Sequence, residues 1–236
     1  MLDKFTLLRS VDCRKSNHEP NKVMQTGHRE AAPRANPNGE RYPAIGSIIA
    51  KYRGGNEPGV PPYVAFQKSR SHVAYAGDLG QQYNPFMANQ AATLPVYDLV
   101  GKDTGKVSSS PMFRLPRNLD FDRINHRVGL LRQLDQMRRE LDVSGSMDAM
   151  DTYQQQAVDM LTGGRVQKAF DVSSEPQGVR DLYGSHLWCQ QALLARRLVE
   201  QGVSFVTIDL SYHTGSGTWD NHGDNIPPYG GISKGL

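Results

Sequence analysis

Apolar positions along the chain recur with two periods, one that of a strand and one that of a helix. Residues 5–11, FTLLRSV, form a nearly unbroken apolar and β-branched run and read as a buried strand. Residues 12–20 are polar, and residues 21–26 read as a short helix ended by Gly27. Residues 43–52 predict a helix with Pro43 near its start and Ile45, Ile48, Ile49 and Tyr52 on one face. Residues 60–66 predict a second short strand, preceded by Pro61 and Pro62 where their missing N–H does little harm. Residues 67–118 are the least regular, with Tyr75, Tyr83 and Phe86 as aromatic anchors and residues 102–110 as an exposed, mobile turn.

The second half is helical in pattern. Ile124, Val128, Leu131, Leu134 and Leu141 repeat at helical spacing over residues 120–141, with Arg127, Arg132, Arg138 and Arg139 elsewhere. Residues 147–161 predict an antiparallel partner to that helix, closed by Gly163 and Gly164, and residues 166–170 a further helical piece. Residues 173–184 read as a loop. Residues 184–200 are amphipathic, with Leu187, Trp188, Leu194, Ala195, Leu198 and Val199 apolar, and Cys189 reads as a buried thiol. Gly202 then ends the helix and a strand begins at Phe205. Helix, glycine and strand in that order predict one limb of an α/β layer.

Candidate chemistry collects after that strand. The run Phe205-Val206-Thr207-Ile208-Asp209-Leu210 breaks into a glycine-rich stretch and ends in Trp219-Asp220-Asn221-His222-Gly223-Asp224-Asn225. A buried strand followed by a polar loop at its carboxyl end is how α/β proteins build sites. Asp220 and His222 are two apart and point to one side of an extended segment. One carboxylate and one imidazole there are half of a site for zinc, manganese or iron. The same residues also suit a turn in which Asp220 and Asn221 bond their own backbone. His18 and His28 flank the first short helix, either merely solvated or facing an anion at its amino end. His72 stands alone and receives no role.

Composition narrows the class. With 236 residues and a net charge of +3, basic and acidic residues are interspersed, which argues against a nucleic-acid surface. Cys13 and Cys189 are the only cysteines and form neither a C-x-x-C pair nor a disulfide framework. No apolar run approaches the ~20 residues that span a bilayer. The first residues do not read as a signal peptide.

The FTLLRSV strand with its histidine-bearing loop, the segment ALLARRLVEQGVSFVTIDL and the loop WDNHGDN together resemble the bacterial family called domain of unknown function 1501. That family is common in planctomycetes and is placed in the alkaline-phosphatase-like, sulfatase-like superfamily. The resemblance spans essentially the whole chain. It implies an α/β fold, here a partial alkaline-phosphatase-like sandwich with a short, mainly parallel sheet flanked by helices. It also implies a phosphate- or sulfate-ester hydrolase-like protein, with Asp220 and His222 as ligands of a divalent metal (zinc, manganese or calcium). A small-molecule or polysaccharide ester is the implied substrate, and members are often exported.

Thr26-Gly27-His28 resembles the Thr-Gly-Arg that closes the nucleophile helix of sulfatases. Counting back, the nucleophile position falls near Asn17, where neither Cys nor Ser stands, with Ser16 one residue away. His18 is left as the candidate acid or ligand. Two parts of the superfamily site, a Gly-Gly and Asp motif and the later Asp-His and His ligands, would lie beyond Met1 and Leu236. The expectation is therefore a single incomplete domain over residues 1–236, with a helical insertion at about 118–170, and an inactive fragment of the full site. The alternative is a non-catalytic binding or structural protein that retains the fold.

Overall fold

The computed structural model describes residues 20–31, 37–67, 72–90, 94–97, 103–107, 122, 123, 126, 129, 158–160 and 164–210. Their centre is a parallel sheet in which β1 (Tyr63–Phe66) lies between β2 (Phe86–Met87) and β5 (Phe205–Ile208). The β1–β5 register pairs Tyr63 with Phe205 and Phe66 with Ile208. The molecule is thus mixed α/β, with a short parallel sheet and helices around it. A separate antiparallel pair joins β3 (Pro95–Tyr97) to β4 (Asp103–Val107).

β1 is buried at all four positions, and its side chains alternate between two cores. Val64 and Phe66 enter one cluster with Leu194, Leu198, Val166 and Phe170. Tyr63 and Ala65 enter the other with Ala44, Ala50 and Val73. The first cluster lies under α5 (Leu187–Glu200), whose Leu193, Leu194 and Leu198 are fully buried. Burying each such leucine contributes about 1.5–3 kcal/mol. The second lies under α2 (Ile45–Tyr52).

α2 packs unlike its sequence pattern. Its buried residues are Gly46, Ser47 and Ala50, while Ile45, Ile48 and Tyr52 are exposed. Most of the apolar stripe faces outward, with Ile49 partly buried, because the contact to the sheet is made by small side chains. A Cβ on Gly46 would stand 2.7 Å from both the Phe205 and Tyr63 rings.

The helix α1 (Pro20–Thr26) forms where the sequence predicts it and ends at Gly27, whose φ is +66°. The helices α3 (Arg165–Phe170) and α5 also match their predicted stretches. Three expectations are corrected. Residues 177–183 form the helix α4 (Gln177–Tyr183), not a loop: Pro176 takes the N-cap position, where lacking an N–H costs nothing. Residues 103–107 are strand β4, not a turn, although Thr104, Gly105 and Lys106 are exposed as expected. Cys189 is half-buried, not enclosed.

The predicted strand over residues 5–11 lies outside the described residues. So does most of the predicted helical pair over residues 120–161, of which Asp122, Arg123, His126, Gly129 and residues 158–160 are described, all of them helical. No helix among the described residues is long and apolar enough to cross a membrane.

Candidate functional site

The carboxyl ends of the parallel strands hold a buried acid–imidazole pair. The hydrogen bonding of β5 to β1 continues one residue past the strand, where the Asp209 N–H donates to the Phe66 carbonyl at 2.9 Å. That bond fixes Asp209 at the carboxyl edge of the sheet. Its Oδ2 lies 3.4 Å from Nδ1 of His72, and both side chains are only 6% exposed.

His72 is positioned from the other side by α1. The Gln25 carboxamide donates to the His72 carbonyl at 2.6 Å and accepts the Ala74 N–H at 3.0 Å. A single side chain thereby mimics a strand partner for residues 72–74. The carboxyl end of β1 is tied down as well: the Gln67 N–H donates to Asn89 Oδ1 at 2.8 Å, and its Nε2 to the Tyr75 hydroxyl at 2.9 Å.

This pair has two chemical uses. With a proton on Nδ1, Asp209 orients the ring and leaves the lone pair on Nε2, as in an acid–base imidazole. With Nδ1 unprotonated, oxygen and nitrogen can share one cation. Ligands about 2.0–2.1 Å from a tetrahedral zinc stand roughly 3.3 Å from one another. The observed 3.4 Å meets that spacing. The donor types also suit the divalent metal implied by the sequence, so His72 and Asp209 fit half of a ligand set. Among the described residues no third His, Cys, Asp or Glu joins them.

α1 also contributes Lys22 and Thr26 to a cleft of about 170 Å³, lined further by Glu40, Tyr42, Tyr75 and Asn84, among others. His28 belongs to this side: its ring stacks on Tyr42 with centroids 3.7 Å apart, and its Nδ1 accepts the Glu30 N–H. The Tyr42 hydroxyl donates to Glu30, and the neighbouring carboxylate raises the phenol's pKa.

A sequence profile described as "Protein of unknown function (DUF1501)" matches residues 1–236. The chain belongs to that family. No curated protein and no solved structure matches it.

In this DUF1501 chain, the site residues expected from sequence, His18, Asp220 and His222, lie outside the described residues. The structure brings together instead two residues that sequence reasoning missed. His72 has no helical or strand pattern around it, and its partner is far along the chain. Asp209 was legible in part, as a lone acid closing an otherwise apolar strand.

Proposed function

We propose that the chain builds part of a metal-dependent phosphate- or sulfate-ester hydrolase-like site on the carboxyl edge of an alkaline-phosphatase-like sheet. What supports this is the buried His72–Asp209 pair at the ends of β1 and β5. Asp220 and His222 follow Asp209 in the sequence and would add a second oxygen and nitrogen; His18 precedes α1, the helix that positions His72. His72 and Asp209 would hold a zinc, manganese or calcium ion, which when bound would supply polarisation of an ester oxygen and a lowered pKa for bound water. The chain's own work is to hold donors. The sheet anchors Asp209 through its backbone, Gln25 anchors His72, and burial keeps competing water from both side chains. A small-molecule or polysaccharide ester is the substrate class.

A second reading, a binding protein that kept the fold without the chemistry, is favoured by the sequence near Asn17, where the resemblance puts the sulfatase nucleophile and neither Cys nor Ser stands at that count. Calorimetric titration with zinc and with manganese, paired with a chromogenic phosphate and sulfate ester assay, separates the two. The hydrolase-like reading expects binding that weakens at least about tenfold in Asp209→Asn and in the double variant Asp220→Ala, His222→Ala. Metal-dependent ester cleavage supports the catalytic form, and metal binding without cleavage the binding form. Absence of metal binding by the unaltered chain sinks the metal site in both.

A further inference from the structure

The cleft lined by α1 carries chemistry that the carboxyl-edge site does not use. The more buried of its charged groups is Lys22, whose side chain is 8% exposed. An ammonium has three N–H donors. Among the described residues Lys22 spends one, on Glu40 Oε1 at 3.2 Å. Glu40 is 60% exposed and engages that single oxygen, which leaves acceptor capacity at the mouth of the cleft. Asn84, also in the lining, accepts the Ala76 N–H with its Oδ1 at 3.0 Å. That bond assigns the carboxamide orientation and leaves both Nδ2 donors. Tyr42 and Tyr75 add aromatic surface to the lining.

These walls are held by backbone contacts. The Ala44 N–H donates to the Tyr75 carbonyl at 2.8 Å. Gly77, with φ +52°, approaches so closely that a Cβ would stand 2.1 Å from the Arg41 carbonyl oxygen. Arg41 and Asp78 pair at 2.9 Å across the same junction. The cleft is therefore built by the fold.

We infer that this cleft binds a neutral, polyhydroxylated ligand the size of one sugar ring, held by Lys22, Glu40 and Asn84. The charge pattern selects this class. Lys22 and Glu40 compensate each other, so a net charge on the ligand meets one partner and is repelled by the other. An oxyanion uses Lys22 and Asn84 but faces Glu40; an ammonium uses Glu40 but faces Lys22. A hydroxyl both donates and accepts, and so uses all three. Aromatic rings suit the C–H faces of a sugar. The volume of about 170 Å³ holds about six water molecules, which one sugar ring would displace. The inference stands independently of the hydrolase-like reading, because it uses neither His72 nor Asp209.

Saturation-transfer NMR tests it, with D-glucose, D-galactose and D-mannose as probes and inorganic phosphate as competitor. At least one sugar is expected to receive saturation from the protein. Its Kd is expected to rise about tenfold in Lys22→Met and in Glu40→Gln, each of which removes a charge-assisted hydrogen bond. Glu40 is exposed, so Glu40→Gln decides the matter if Lys22→Met fails to fold. The inference is overturned if no probe receives saturation, or if Glu40→Gln leaves the signal unchanged. Displacement of the sugar by phosphate also overturns it, because that result marks an anion site.

Discussion

Gly46 shows how much one hydrogen in place of a methyl can decide. It lies on the buried face of α2, against the edge-to-face pair of Tyr63 and Phe205, whose centroids are 5.5 Å apart. Its backbone needs no special φ; only the space is special. Gly46→Ala forces the rings or the helix to shift, since the added carbon would meet ring atoms at 2.7 Å. Overpacking of this kind costs about 1–3 kcal/mol. Urea unfolding of Gly46→Ala is expected to show that loss, with no change in the m-value. An unchanged midpoint would mean that α2 does not sit this tightly on the sheet. The same contact explains why Ile45 and Ile48 of α2 face outward: at Gly46 there is no room between helix and sheet for a branched side chain.

At the scale of elements, a charged clamp fixes α5 against the segment that precedes it. Arg197 donates through Nε to the Ala169 carbonyl at 2.9 Å and also pairs with Glu175. Arg196 reaches the same carboxylate at 2.6 Å. The hydrogen bond from Arg196, together with Arg197, holds the Glu175 carboxyl below its ordinary pKa despite partial desolvation. A carboxyl whose pKa is lower in the folded state stabilises the protein above its unfolded pKa. That contribution disappears as pH falls through the folded value. Glu175→Gln is therefore expected to lower Tm at neutral pH and to have a shrinking effect as the solution is acidified below the usual carboxylate range. Calorimetric scans of both proteins across that range check the convergence. A Tm difference that stays constant with pH would show that the clamp acts by packing alone.

For the molecule as a whole, β1 is the shared wall. It pairs with β2 and β5 along its edges, and its two faces close both cores. Opening it exposes everything at once, so its amides should exchange only through global unfolding. The β3–β4 pair has exposed positions at Thr104, Gly105 and Lys106 and is expected to exchange by local opening. Hydrogen exchange resolved by mass spectrometry should rank β1 as the slowest peptide and residues 103–107 among the fast ones. Equal rates in the two would contradict a sheet-centred core. The carboxyl-edge pair benefits from the same architecture, because Asp209 hangs from the most protected strand through its bond to Phe66.

Among the described residues, the apolar pattern of the sequence by itself determined most of the helices and strands. α1, α2, α3, α5, β1 and β5 all form where that pattern predicts them. Two polar stretches without that pattern departed from expectation: the read loop over residues 173–184 contains α4, and the read turn over residues 102–110 contains β4. Only the tertiary structure decided which face of α2 is buried, and it chose the small residues over the isoleucines. Only the tertiary structure joined His72 to Asp209, and Lys22 of α1 to Glu40. The physical reason is one of range. Periodicity is set by neighbours a few residues apart, whereas the space beside a helix and the partner of a buried charge are set by segments distant in the chain that the sheet brings together.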